Sequence, residues 1–145
     1  PHNALTLRLM DLALERSVDH HAEGLHAPAA LQDSSNLREG AEHYQHMCRG
    51  CHGAPGVQHK GGRGGMYPEP PDFSKGMGEW SVEEIFWIAK NGIKMSGMPS
   101  YGDSHTDEQL WAIAAFGMAL PKLSAEQYQE LSADTDSDKG AEEHH

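Results

Sequence analysis

Cys48 and Cys51 are the only cysteines of this chain, and His52 follows the second one directly. Thiol and imidazole groups at this spacing could form a redox-active disulfide, contribute half of a zinc site, or attach and ligate a prosthetic group. Each use needs different neighbouring residues. The rest of the sequence therefore has to discriminate among them.

The zinc and thioredoxin interpretations lack the neighbours that they need. A structural zinc site takes four ligands, usually as two pairs, and no second pair with suitable spacing follows Cys51. His43 and His46 could share a helix face, but we interpret them as surface histidines. A thioredoxin-type pair needs a βαβ context and a helix N-terminus, whereas Cys48 lies at the C-terminal end of a predicted helix. A plain structural disulfide stays open.

The pattern Cys-x-x-Cys-His is the attachment signal for c-type haem. Two thiols at this spacing can each add to one of the two vinyl groups of the porphyrin, and the adjacent imidazole can then reach the iron. A second axial ligand is available in the segment GIKMSGMPSYG, where Met98 precedes a proline that stiffens the loop. Met95 follows the end of a predicted helix too closely, so we favour Met98.

The elements that must position these residues are helical. Asn3 is a suitable N-cap for a first helix, in which apolar residues recur at helical spacing at Leu7, Met10, Leu14 and Val18. We expect this amphipathic helix to pack on the domain and a linker to span residues 27–35.

The second predicted helix carries Cys48. Asn36 and Glu39 have the spacing of a capping pair, and one apolar stripe then runs through Leu37, Ala41, Tyr44 and Cys48. A glycine inside a helix costs about 1 kcal/mol relative to alanine. Gly40 therefore suggests that another backbone approaches this helix closely.

Three further helices are predicted by their caps, and no strand pattern is present. The caps are Ser81 with Glu84, Thr106 with Gln109, and Ser124 with Gln127. Asn91-Gly92 ends the first of these helices and Pro121 the second. The glycine- and proline-rich segment 53–79 is predicted to be a long irregular loop that wraps a ligand. Residues 134–145 are predicted to form an acidic, disordered tail.

The charge of the chain excludes one class of partner. The net charge of the 145 residues is −11, which argues against binding to nucleic acid. No apolar stretch is long enough to span a membrane. Residues 49–94, which contain the motif, are the one part of the chain that is not negative.

These motifs resemble the bacterial, mitochondrial-like class I cytochromes c with a single haem. The resemblance covers residues 36 to about 120 and is strongest in HYQHMCRGCHGAPG, EEIFWIAKNGIKMSGMP and DEQLWAIAAF. Gly40 and Tyr44 match the glycine and aromatic residue of the family's N-terminal helix, and Ile113 and Phe116 resemble its partners on the C-terminal helix. The segment from Met98 to Tyr101 is similar to the family's ligand loop.

The resemblance implies an all-α class I cytochrome c fold around one covalent haem c, with an extra N-terminal amphipathic helix. The expected organisation is residues 1–35 for that helix and linker, 36–133 for the haem domain, and 134–145 for the tail. It implies haem thioethers at Cys48 and Cys51 and axial iron ligation by His52 and Met98. The His52 ring N–H should donate to a backbone carbonyl, and the candidates are Pro70 and Pro71.

This family implies a one-electron carrier rather than an enzyme, with redox proteins as partners. Two alternatives stay open: an electron-transfer subunit of a larger oxidoreductase complex, and a haem-based ligand sensor or peroxidase. We expect a periplasmic protein that could be tethered to the inner membrane through a segment missing before Pro1. Lys60, Arg63, Lys90 and Lys94 are predicted to line the docking face.

Overall fold

The structure is a computed structural model that describes residues 3–57, 66 and 68–139. Over these residues the chain is helical and has no β-strand beyond one isolated bridge between Ala54 and Val57. Its helices are α1 (Ala4–Ala22), α2 (Ser34–Met47), α3 (Arg49–His52), α4 (Val82–Asn91), α5 (Asp107–Ala119) and α6 (Ala125–Lys139). The predicted all-α class is confirmed. Among the described helices, none is both long and apolar enough to cross a bilayer.

The N-terminal helix α1 begins as predicted and is anchored by its C-terminal half. The Asn3 side chain accepts a hydrogen bond from the Thr6 amide at 2.8 Å. Towards the other end, Val18 is fully buried and the His21 ring lies 4.8 Å from the Trp87 ring of α4. The first half of the helix leaves three leucines exposed, at 68%, 57% and 48%: Leu5, Leu9 and Leu12.

The start of α2 differs from the prediction. Its N-cap is Asp33, so the assignment of Asn36 and Glu39 as the capping pair was wrong. The Asn36 amide instead donates to the Leu31 carbonyl at 2.7 Å, and Leu31 is buried. Because Asn36 finds its partner in the preceding linker, it does not act as a cap, and the helix begins almost one turn earlier.

Helices α2 and α5 cross at Gly40, as the mid-helix glycine predicted. A Cβ atom built on Gly40 would overlap the Ala112 carbonyl oxygen and lie 2.7 Å from Phe116 Cβ. Phe116 is therefore confirmed as a partner in this crossing. The expected second partner, Ile113, instead packs in the cluster between α4 and α5, because Ala112 occupies the position closest to Gly40.

The later helices begin at the predicted caps. Reciprocal side-chain and backbone hydrogen bonds of a capping box are present at Ser81–Glu84, Thr106–Gln109 and Ser124–Gln127. Helix α4 ends at Gly92, which adopts φ 70°. Helix α5 gives way to a 3-10 turn, Leu120–Lys122, that contains Pro121. Capping residues interact with amides only three positions away, so these signals depend little on tertiary context.

The last helix extends past the predicted tail boundary. We expected the tail to begin at Asp134, and α6 continues to Lys139. Gly140 is the first strong helix-breaking residue after Pro121, which explains why the helical conformation can persist along the acidic segment. Residues 140–145 of the predicted tail lie outside the described residues.

Candidate haem site

The two cysteines lie on one continuous helical turn. Cys48 caps the end of α2, where its amide donates to the Tyr44 carbonyl at 2.9 Å. The Cys48 carbonyl then accepts from the amides of Cys51 and His52, at 3.1 and 2.9 Å. Residues three apart on such a turn face the same side. Both thiols are free and half-buried, so the disulfide that the sequence left open is not formed in this structure.

The environment of Cys48 differs from that of a redox-active thiol. Burial, with a smaller contribution from Cys51, raises the pKa of the Cys48 thiol to about 12. Reactive cysteines of oxidoreductases have lowered pKa values, which are produced by nearby cations or helix N-termini. Cys48 is therefore a neutral thiol at physiological pH. This argues further against the thioredoxin interpretation.

Tyr44 fixes the backbone that follows the motif. Its hydroxyl donates to the carbonyl of Gly53 at 2.6 Å, and both residues are buried. Gly53 has φ 70°, a conformation that favours glycine, and there the chain leaves the α3 turn. Burial raises the pKa of Tyr44 well above that of an exposed tyrosine, so the hydroxyl stays a donor. The sequence indicated an aromatic residue at this position but not this bond.

His52 is held by the loop that follows the motif. It is 8% exposed, and its Nδ1 lies 2.9 Å from the Pro71 carbonyl oxygen. A carbonyl can only accept, so Nδ1 carries the proton. The predicted proline carbonyl is thus confirmed at Pro71. The Phe73 ring stacks on the imidazole, with centroids 3.9 Å apart and planes within 5°, a contact that no spacing in the sequence indicated.

Met98 lies in a loop that folds back onto the end of α4. Its carbonyl accepts from the Ile93 amide at 3.2 Å, and its own amide donates to the Ser96 hydroxyl at 3.1 Å. The Met98 side chain is partly buried. Met95, its competitor, is 83% exposed and has φ 64°, so its side chain points into solvent.

Two further contacts connect this loop to the rest of the site. Tyr101 packs with Cys48 against the cluster between α4 and α5, and its hydroxyl lies 3.4 Å from the Met47 carbonyl. Met66 belongs to the glycine-rich segment, and its sulfur would lie 2.7 Å from a Cβ atom added at Gly97. Met66 thus places a second thioether beside the loop. The sequence interpretation compared only Met98 with Met95 and missed it.

The predicted docking cations are not equivalent. Lys90 is paired with Asp107 at 2.9 Å, and its ammonium lies 5.8 Å from the centre of the Phe86 ring. Lys94 is exposed. Lys60 and Arg63 lie outside the described residues. The charge of Lys90 is therefore partly neutralised within the protein, and Lys94 is the better candidate for contact with a partner.

The arrangement fits a covalently bound haem c. Two thiols share one face of a turn, and the neighbouring imidazole has one nitrogen held by a backbone carbonyl. Metal-ligating histidines almost always donate their second ring nitrogen in this way. Cys48, Cys51 and His52 have the spacing of the haem-attachment motif, so we expect bound haem to use them together.

Comparison with protein families matches residues 35–116, more than half of the chain, to the family described as cytochrome c oxidase, cbb3-type, subunit III. No match was found to curated proteins or to solved structures. The matched segment contains the cysteine motif, the α2–α5 crossing and the methionine loop. The chain belongs to this family of c-type cytochrome domains, which supports a bacterial class I monohaem cytochrome c that binds haem c covalently and transfers electrons through it.

Proposed function

We propose that this protein is a one-electron carrier whose haem is attached to Cys48 and Cys51 and whose iron is ligated by His52 and Met98. The observation that carries the proposal is the hydrogen bond between His52 Nδ1 and the Pro71 carbonyl. This bond orients the His52 imidazole on the turn that bears both thiols. Redox proteins outside the cytoplasm, in the periplasm, would be its partners.

The thiols form the covalent link. Cys48 and Cys51 would each hold the haem through a thioether, in which the S–H has been added across one vinyl double bond with its hydrogen on the neighbouring vinyl carbon. Such an addition consumes no oxidant. The raised pKa of Cys48 is compatible with this role, because the residue is needed as an attachment point and not as a thiolate.

The two proposed iron ligands, His52 and Met98, explain why the site would carry electrons and not bind a substrate. Bound haem c supplies a reversible one-electron iron couple. His52 donates through Nδ1 to Pro71, which orients the ring and raises its basicity as a ligand. Met98 would be the second iron ligand, and a thioether paired with histidine favours the reduced iron. With both axial positions taken by the protein, no position remains for a substrate, so we propose that it is not an enzyme.

Intact mass and absorption test this assignment. The denatured holoprotein should exceed the polypeptide mass by one haem, and Cys48→Ala should leave at most a single thioether. Met98→Ala should abolish the weak far-red absorption of sulfur-ligated ferric haem and lower the reduction potential. Met95→Ala is the matched control and should change neither, since its side chain is 83% exposed. Loss of the band in Met95→Ala, with Met98→Ala unaffected, would refute the ligand assignment.

A second candidate function is that of an electron-transfer subunit in a larger complex. Two observations favour it: the family description names an oxidase subunit, and α1 exposes Leu5, Leu9 and Leu12. Size-exclusion chromatography of the protein from its native membranes separates the two candidates. A stable assembly with other chains would support the subunit role, and a freely eluting monomer would support the carrier.

A further inference from the structure

Helix α1 carries an apolar row on the side that faces away from the domain. Leu5, Leu9 and Leu12 follow one another at intervals of four and three residues and are 68%, 57% and 48% exposed. At 3.6 residues per turn these intervals place the three leucines on one side of the helix, roughly opposite the fully buried Val18. Single exposed leucines are common, whereas a row of them marks an interaction surface.

The intervals between the leucines favour another helix as the occupant of this surface. They are the intervals between the d and a positions of a heptad, with Leu5 and Leu12 at d and Leu9 at a. Arg16 is the next a position, and its aliphatic stem can extend the row while its charge stays in water. These four residues form the leucine seam, which is narrow enough to pack against the side chains of one helix.

The charged residues beside the leucine seam are complementary to a second copy of the same seam. Arg8 and Glu15 both occupy g positions, and both are exposed. In an antiparallel pair of identical helices, the g positions of the two chains face each other. Packing of Leu9 on Leu12 of the second copy sets the register. Arg8 then lies beside Glu15 of the second copy, and two-fold symmetry forms the same pair twice.

A parallel pair of α1 helices does not have this match. In a parallel pair the g positions face e positions, which here are Thr6 and Ala13 and carry no charge. The charges therefore favour the antiparallel orientation. Each helix is attached to its own domain through the opposite side, where Val18 is buried, so the two domains lie on the outer sides of the pair.

We propose that two copies of this chain associate as an antiparallel homodimer through the leucine seam. The net charge of −11 per copy opposes association, but physiological salt screens this repulsion beyond about 8 Å. Helix α1 itself is nearly neutral, since it carries two arginines and three acidic residues. The contact involves few apolar side chains, so the dimer should dissociate on dilution.

Analytical ultracentrifugation of the haem-loaded full chain tests the dimer. Over concentrations from about 1 μM to about 1 mM, we expect a reversible shift from monomer to dimer. Leu9→Ala should raise the dissociation constant at least about tenfold, because both copies lose a contact of the seam. Leu9 is 57% exposed in the monomer, so this variant should keep its far-ultraviolet circular dichroism. Met95→Ala is the control: this side chain is 83% exposed but lies outside the seam, and the variant should dimerise as before.

Charge reversal tests the antiparallel register. Arg8→Glu places two acidic side chains at each g contact, and Glu15→Arg places two basic ones there. Each variant alone should therefore dimerise at least about tenfold more weakly than the wild type. In an equimolar mixture of the two variants, both g contacts of the mixed dimer pair opposite charges, so association should return to the wild-type level.

Three results would overturn the proposal. They are a chain that remains monomeric at about 1 mM, a dimer that Leu9→Ala does not weaken, and a mixture of the charge variants that associates no better than either alone. Binding of the leucine seam to phosphatidylcholine vesicles or to another protein, with the pure chain monomeric, would assign the seam to a different occupant and would also overturn it. None of these measurements depends on which residues ligate the haem iron.

Discussion

The hydrogen bond between Tyr44 and Gly53 gives the sharpest test of how the fold supports the haem site. Tyr44→Phe removes one oxygen atom and keeps the ring that packs against Phe116, whose centroid is 5.3 Å away. The Gly53 carbonyl then loses the donor that lies 2.6 Å from it in a buried position. Any change in stability can therefore be assigned to the hydrogen bond and not to packing.

The expected loss follows from the burial of both partners. Leaving a buried polar group without its partner costs about 1–3 kcal/mol. Because the variant also removes the hydroxyl that would need desolvation, we expect a decrease of about 2 kcal/mol in the free energy of unfolding, near the middle of that range. Urea unfolding followed by far-ultraviolet circular dichroism measures it. Haem attachment should remain complete by intact mass, since the variant leaves Cys48, Cys51 and His52 in place.

Tyr101→Phe is the matched control. Its hydroxyl lies 3.4 Å from the Met47 carbonyl and is only partly buried, so its removal should cost less than about 1 kcal/mol. If Tyr44→Phe is as stable as the wild type, or loses no more than Tyr101→Phe, the bond to Gly53 does not hold this turn in place.

Three further predictions concern the helix crossing, a cap and the docking face. Gly40→Ala should lower the free energy of unfolding by about 2 kcal/mol, because overpacking against the α5 backbone costs about 3 kcal/mol and the helix gains about 1 kcal/mol. Gly24→Ala is the control, because an added Cβ there meets nothing within 4 Å, and it should not lower the free energy of unfolding in the same urea titration. Equal losses of stability in the two variants would contradict a close helix crossing at Gly40. Ser81→Ala removes the capping box of α4 and should lower the free energy of unfolding by about 1 kcal/mol, measured by thermal unfolding. An unchanged melting curve would show that the cap does not stabilise the helix. In stopped-flow measurements, Lys94→Glu should slow electron transfer to the native partner severalfold at low salt and little at high salt. Lys90→Glu should have a smaller effect, because Lys90 is paired with Asp107 within the protein. Equal rates for the wild type and Lys94→Glu at low salt would exclude Lys94 from the docking face.

The sequence was informative where a signal acts over a few residues. Caps such as Ser81 with Glu84 were predicted because the side chain and its amide partner are three positions apart. The same argument failed at Asn36. Its amide reaches the Leu31 carbonyl in the preceding linker, and a local rule cannot choose between two partners that are both within reach.

Taken alone, the sequence determined the chemistry of the haem site. Cys48, Cys51 and His52 lie within one turn, so their types and spacing fix which groups are presented together. Gly40, a glycine inside a helix, indicated a close helix crossing. Only the tertiary structure decided which carbonyl holds His52, that Phe73 stacks on it, and that His43 meets His105. These contacts join positions 19 to 62 residues apart. Spacing along a chain specifies which side chains share a turn, whereas the packing of whole helices and loops sets which distant atoms come within hydrogen-bond distance.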